Sequence, residues 1–317
     1  MLTPYAQNAI MQIFIVALLC VGFSFSYQLE KFPNLSYVTL SKFGALTAYT
    51  LTKLMDYNPY LALPTASIVC GLISVLIYTL IIQPINRRGR GKISLTIATL
   101  ALSTVLSTLV AMFSYWVLVT TGQSSKEFLL RNYDFTYQGY PGVLFVSPIV
   151  SILVLVALTL TLYKTSFGTT LRAVSDNEEL AAVLGINTYQ RHLWSWFISG
   201  ALTGLAGSII PFWRATPLGY ADDLLVFVMA GCFIGGIDSL YGAVIGSVIV
   251  VLSLKGMQDN VIAVLRQNNC EIWLYEFGFY VHGLPQLTPY IILWLVLLIE
   301  PSGLAGLARK IARKLRG

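Results

Sequence analysis

Apolar residues along this 317-residue chain gather into long runs, and polar residues collect in the gaps between them. A helix that crosses the hydrocarbon layer needs about 20 mostly apolar residues. Nine runs meet or approach that length: 9–27, 35–55, 60–83, 94–120, 143–164, 192–213, 222–237, 240–257 and 286–300. The run at 222–237 is short and ends in glycines, so it reads as a tilted short span, a broken helix or a re-entrant element. The pattern predicts an all-α polytopic membrane protein with about nine transmembrane helices (eight to ten). The loops are too short for a soluble core, so residues 1–317 form a single transmembrane domain.

Composition agrees. The chain is 56% hydrophobic and 11% charged, against roughly 25% charged in soluble domains. The net charge of +6 sits in clusters rather than in a stripe interleaved with aromatics. That suits anionic lipid and excludes a nucleic-acid surface. The opening "MLTPYAQNA" carries no Lys or Arg, so the first run reads as a retained span rather than a cleaved signal.

Basic residues in short loops mark the cytoplasmic side. They gather in "NRRGRGK" (Arg87, Arg88, Arg90, Lys92), in the central segment (Lys164, Arg172, Arg191) and in the tail (Arg309, Lys310, Arg313, Lys314, Arg316). Nine spans put all three on one side, with the N-terminus outside and the C-terminus cytoplasmic. The tail, 301–317, sets Leu304, Leu307, Ile311 and Leu315 on one helical stripe with bases opposite. It reads as an amphipathic helix in the headgroup plane or as a plain positive-inside anchor.

Few residues offer chemistry. There are two histidines, His192 and His282, and the sequence contains no HExxH, GxSxG or GxxxxGK[ST] pattern. Cys20, Cys70, Cys232 and Cys270 make no CxxC pair and read as buried small residues. The apolar runs show no clear embedded acid of the kind ion-driven transporters keep. Lys42 stands out, eight residues into the second run. It is either a functional group in the membrane or a side chain snorkelling to the cytoplasmic surface.

The central stretch "RAVSDNEELAAVLGINTYQR", 172–191, is the polar exception. Asp176 and Glu179 have capping-box spacing, Leu180, Val183 and Leu184 form an apolar stripe, and Gly185 stands at a natural stop. This predicts a short helix within a cytoplasmic loop, 165–191, with an apolar ridge and acidic shoulders. Such a helix is marginal alone. It packs either on its own bundle or on a partner.

The same region, "KTSFGTTLRAVSDNEELAAVLGINTYQRHLWSWFISGALTGLAGSII", resembles the signature of permease subunits of ABC importers in the branched-chain amino acid family, which also includes urea permeases. Thr165, Phe167, Gly168, Leu171, Arg172, Ala173, Asn177, Ala181, Gly185, Ile186 and Asn187 match, as do Gly200, Gly204, Leu205, Ala206 and Gly207. "PNLSYVTLSKFGAL" matches an early motif at Asn34, Gly44 and Ala45, with Val38 and Leu46 as departures. "FIGGIDSLYGAVIGS" matches at Gly235, Gly236, Ser239, Gly242 and Gly246, with Asp238 replacing a glycine. "LLIEPSGLAG" resembles the family's closing motif. The resemblance covers most of the chain.

It implies a non-catalytic permease in the plasma (inner) membrane that moves a small polar solute, most simply a branched-chain or other amino acid. Expected partners are ABC ATPase subunits that carry ATP and Mg, a second permease (identical or homologous) and an extracytoplasmic substrate-binding protein. This chain itself is expected to bind no cofactor or metal. The short helix becomes a coupling helix, with Arg172, Asp176, Glu179, Leu180, Ala181, Leu184 and Gly185 as docking candidates. Asn34, Lys42, Gly44, Gly235, Gly236 and Ser239 become candidates for the translocation pathway. A stand-alone secondary transporter or channel, and within the family a urea or amide permease, are the competing readings.

Overall fold

In the computed structural model the described residues are 3–89, 91–122, 125–217, 219–256, 284–299, 303 and 306. They are almost wholly helical: α1 Pro4–Glu30, α2 Leu40–Tyr49, α3 Ala62–Ile77, α4 Gln83–Arg87, α5 Lys92–Thr121, α6 Val143–Lys164, α7 Ser166–Asp176, α8 Glu178–Val183, α9 Thr188–Trp213, α10 Tyr220–Gly235, α11 Leu240–Gly256 and α12 Leu284–Ile299. Each of the nine predicted apolar runs coincides with a helix over most of its described residues. Among the described residues five helical stretches are long and apolar enough to cross a membrane: Ala6–Glu30, Pro59–Arg87, Lys92–Thr121, Val143–Lys164 and Thr188–Trp213. The molecule is a multi-pass membrane protein.

Two predicted runs change shape. Run 35–55 is helical only from Leu40, because Lys31 closes α1 in the left-handed region (φ 56°) and Pro33 disfavours helix at the residue before it. Residues 31–39 instead form turns, pinned by Asn34, whose Oδ1 accepts from Ser36 N (3.1 Å) and Ser36 Oγ (2.7 Å). Run 222–237 is α10, 16 residues long, about 24 Å of rise. It doubles back into α11 through the 236–239 turn, where Gly236 takes φ +97°, a conformation that suits glycine. The predicted amphipathic tail lies outside the described residues, except Gly303 and Gly306.

α1 and α9 run through the centre with most of their length buried, while α3, α5 and α6 expose most of theirs. Glycines set the closest approaches. A Cβ on Gly44 would strike the Gly204 carbonyl, one on Gly204 the Ala66 carbonyl, and one on Gly207 the Ser41 carbonyl. α9 therefore packs backbone-to-backbone against α2 and α3, as small-residue motifs allow in membranes. Gly235 meets Gly242 and Gly231 meets Gly246 in the same way between α10 and α11. α3 continues into α4 through a π-helical turn, Tyr78–Ile82. The wide turn precedes Pro84, whose ring has no N–H and crowds the carbonyl one turn back.

At the end remote from the Arg87–Lys92 connection, two small ribbons close the loops. β1 (Glu127–Phe128) pairs antiparallel with β4 (Thr216–Pro217), and β2 (Thr136–Tyr137) with β3 (Tyr140–Pro141). Cys20, Cys70 and Cys232 are buried and free, as the sequence predicts; Cys270 lies outside the described residues.

Candidate functional site

The polar segment folds as two short helices, and its chemistry is local. Thr165 N-caps α7 by accepting from Gly168 N (3.3 Å). Gly168 presses against the Leu162 backbone, where any Cβ would clash. α7 ends at Asp176. The cap of α8 is Asn177, whose Oδ1 accepts from Leu180 N (3.0 Å). The predicted capping box is thus corrected by one residue: Asp176 closes α7, and Glu178 and Glu179 occupy the first turn of α8, where the helix dipole favours acids. The stop is as predicted. Gly185 is left-handed (φ +81°); its N–H donates to Ala182 O (3.0 Å) and that of Ile186 to Ala181 O (3.0 Å). These two bonds form a Schellman motif. Asn187 then caps α9 by accepting from Gln190 N (3.1 Å).

This segment is fastened to the bundle. His192, near the start of α9, has Nδ1 at 2.7 Å from Glu30 Oε1 and Nε2 at 3.2 Å from Glu178 Oε1. Glu30 Oε1 also accepts from Trp196 Nε1 (2.9 Å). Tyr78 stacks on the His192 ring at 5.9 Å. Ser175 Oγ donates to Gln28 O (2.8 Å). The end of α1, the π-turn after α3, the start of α9 and the first residue of α8 therefore meet at one histidine.

The outer face of α8 is left open. Leu180, Val183 and Leu184 are 56%, 83% and 71% exposed, whereas Ala181 is buried against the bundle. Asp176 and Glu179 are exposed beside the ridge, and so is Arg172, whose guanidinium lies 5.1 Å over the Tyr163 ring. Six of the seven docking candidates (Arg172, Asp176, Glu179, Leu180, Leu184 and Gly185) thus lie on the surface of one segment; Ala181 is its anchor.

The pathway candidates do not form one cluster. Asn34 is buried in its own turn. Gly44, Gly235 and Gly236 are buried, and the first two sit at helix–helix contacts. Ser239 accepts from Gly242 N (3.1 Å) at the start of α11. Lys42 is different. Its side chain is buried, its Nζ donates to Ser107 Oγ (3.0 Å) on α5, and it lies 3.6 Å from Asp222 Oδ1 on α10. It does not snorkel to the basic end: Ser107 is about 22 Å along α5 from Lys92.

Sequence reasoning missed Glu30, Glu178 and Trp196 as a group around His192, and Ser107 and Asp222 around Lys42. The separations, 162 residues between His192 and Glu30 for example, leave no local pattern.

Residues 5–298 match the family model described as branched-chain amino acid transport system / permease component. The chain is 32% identical over 309 residues to the probable branched-chain amino acid transport permease protein LivH of Methanocaldococcus jannaschii, covering 98% of this chain and 94% of that protein. Shorter matches reach related permeases: 31% over 170 residues with the ribose import permease protein RbsC of Bacillus subtilis, about half of each chain (51% and 51%), and 31% over 135 residues with the autoinducer 2 import system permease protein LsrC of Yersinia enterocolitica (40% of this chain, 36% of that protein). The solved structure of PsaBC from Streptococcus pneumoniae in complex with Fab shares the fold at a TM-score of 0.52 and 16% identity, covering 95% of this chain and 93% of that one. With nearly its whole length matched, the chain belongs to the branched-chain amino acid transport system permease family.

Proposed function

We propose that this chain is the membrane-spanning permease subunit of an ATP-driven importer for branched-chain or other small amino acids, with α8 as the helix that a separate ATPase subunit grips. The observation that carries the reading is the open ridge Leu180–Val183–Leu184 on a helix capped at both ends and fastened at its base by Glu178 and His192. A helix this short gains little from its own backbone. Exposed leucines on it are an unfilled hydrophobic contact, and its fastening turns a push on the ridge into a displacement of α1 and α9.

In this reading the chain binds no nucleotide itself; ATP and Mg belong to the partner. The basic end is cytoplasmic and the N-terminus extracytoplasmic, in keeping with the positive-inside rule. A second permease copy or homologue completes the pore in the plasma membrane, and an extracytoplasmic binding protein delivers the solute.

The test is reconstitution with the ATPase that co-purifies with the chain and the cognate binding protein. Leucine uptake into proteoliposomes is then compared with ATP hydrolysis. The double substitution Leu180→Asp with Leu184→Asp should abolish uptake and release the ATPase on washing. Normal uptake by that variant would sink the coupling assignment, and leucine uptake without any ATPase would sink the importer assignment.

A further inference from the structure

The Lys42–Asp222 pair carries a second inference. Lys42 Nζ bonds to Ser107, midway along α5 (Lys92–Thr121). No charged residue occurs between Lys92 and Lys126, so this ammonium sits half-way along an uncharged helix, with Phe128 and Thr216 of the β1–β4 ribbon lining the cavity beside it. Its neighbour is held in place: Tyr220 Oη and Ser41 Oγ lie 3.1 Å apart, both buried. That contact ties the first residue of α10 to α2 one residue before Lys42 and brings Asp222 to 3.6 Å. The two partners differ sharply in exposure, 4% for the lysine side chain and 73% for the aspartate. A carboxylate open to the outside cannot face hydrocarbon; it faces a watery pathway, or the second permease across one.

The geometry suits exchange rather than permanent closure. A hydrogen-bonded ammonium–carboxylate pair closes to about 2.7–2.9 Å, and this one stands at 3.6 Å. The cavity behind Lys42, lined by Ala45, Leu46, Phe128, Thr216 and Tyr220 among others, has about 10 Å³ and no acid in its wall. It holds at most one water, so nothing on that side neutralises the lysine. Any solute that parts Lys42 from Asp222 must bring its own anion.

We propose that Lys42 and Asp222 hold a zwitterionic solute in the pathway, Asp222 taking its ammonium and Lys42 its carboxylate. An α-amino acid carries both charges on one carbon and replaces one ion pair with two. A neutral sugar or urea would leave a buried ammonium unpaired. The proposal rests on the amino-acid importer reading above and sharpens its substrate class.

The experiment uses the complete importer in proteoliposomes, with its ATPase and binding protein. Asp223→Cys, at the exposed residue next to Asp222, in a chain also carrying Cys270→Ser, is treated with a water-soluble thiol reagent. Labelling should slow at least tenfold with leucine present and ATP withheld, remain unchanged with ribose, and lose leucine protection when Lys42→Met is added. In the otherwise native chain Asp222→Asn should lower leucine uptake at least tenfold, and the exchange Lys42→Asp with Asp222→Lys should recover part of it. If the cysteine chain does not assemble, the Asp222→Asn and charge-exchange uptake assays decide. A cysteine inert to the reagent in every transport state, equal protection by ribose, or native uptake by Asp222→Asn overturns the site. A native importer that takes up no leucine overturns the importer reading instead.

Discussion

Glu30 and His192 stand 162 residues apart in the chain, and their side chains meet at 2.7 Å, each less than a tenth exposed. The carboxylate closes α1, and the imidazole passes the connection on to Glu178 at the root of α8. Because Trp196 donates to the same oxygen, Glu30→Ala strands two buried donors at once. An unsatisfied buried group costs about 1–3 kcal/mol. Glu178 is half exposed, and partly exposed charge pairs contribute about 0–1 kcal/mol. Thermal unfolding of the purified chain should therefore rank Glu30→Ala well below Glu30→Gln, with Glu178→Ala near native. Equal losses for Glu30→Ala and Glu178→Ala would show that Glu30 is not the anchor.

The two ends of α8 matter more for coupling than for overall stability. Asn177→Ala removes the N-cap, worth about 1 kcal/mol, and Gly185→Ala forces a left-handed side chain at a cost of roughly 1–2 kcal/mol. On a six-residue helix either loss is large against what the helix's own backbone supplies. The bundle beneath it is untouched. We expect each variant to keep the native melting temperature within a few degrees and to bind the ATPase several-fold more weakly in a pull-down. A variant with full ATPase binding would mean that the ridge needs no preformed helix.

The legibility of this protein follows the range of the forces involved. Hydropathy acts over about 20 consecutive residues, so all nine helical runs could be read from the sequence. The Gly185 stop could be read because a left-handed residue leaves a local mark. The N-cap slipped from Asn177 to Asp176 because adjacent Asp and Asn are equally good caps and only the backbone decides between them. The second run was overextended because the turn that Asn34 pins through Ser36 occupies its first residues, and hydropathy does not register a turn made of such residues. The contacts of His192 and the burial of Lys42 escaped the sequence for one shared reason. Their partners, Glu30 and Asp222, come from other helices, and no periodicity within a segment encodes that meeting.

Glycine on α9 gives a paired test of packing. A Cβ on Gly204 would run into the Ala66 carbonyl and the Cys70 side chain, whereas one on Gly219 meets nothing within 4 Å. Gly204→Ala must push two backbones apart in a closely packed interior, which typically costs about 1–3 kcal/mol. Gly219→Ala, at φ −84°, should be neutral. Melting temperature and yield from membranes should fall for the first and hold for the second. Equal behaviour would show that α2, α3 and α9 have room to separate.

Asp134 organises the opposite end of the molecule. Its Oδ1 accepts from Tyr60 Oη (2.5 Å) and its Oδ2 from Val143 N (2.8 Å), the first residue of α6. One carboxylate thus joins the start of the α3 span to the start of α6. The tyrosine ring adds a stacked contact with Phe212 at 6.4 Å, near the end of α9. Tyr60→Phe keeps the ring and loses one hydrogen bond to a charged group, about 1.5–3 kcal/mol at most. Asp134→Ala loses both bonds and exposes the N-terminal N–H of α6. Limited proteolysis of the 122–142 loop in reconstituted vesicles should accelerate strongly for Asp134→Ala and less for Tyr60→Phe. The reverse order would place the stabilising contact in the phenol rather than in the α6 cap.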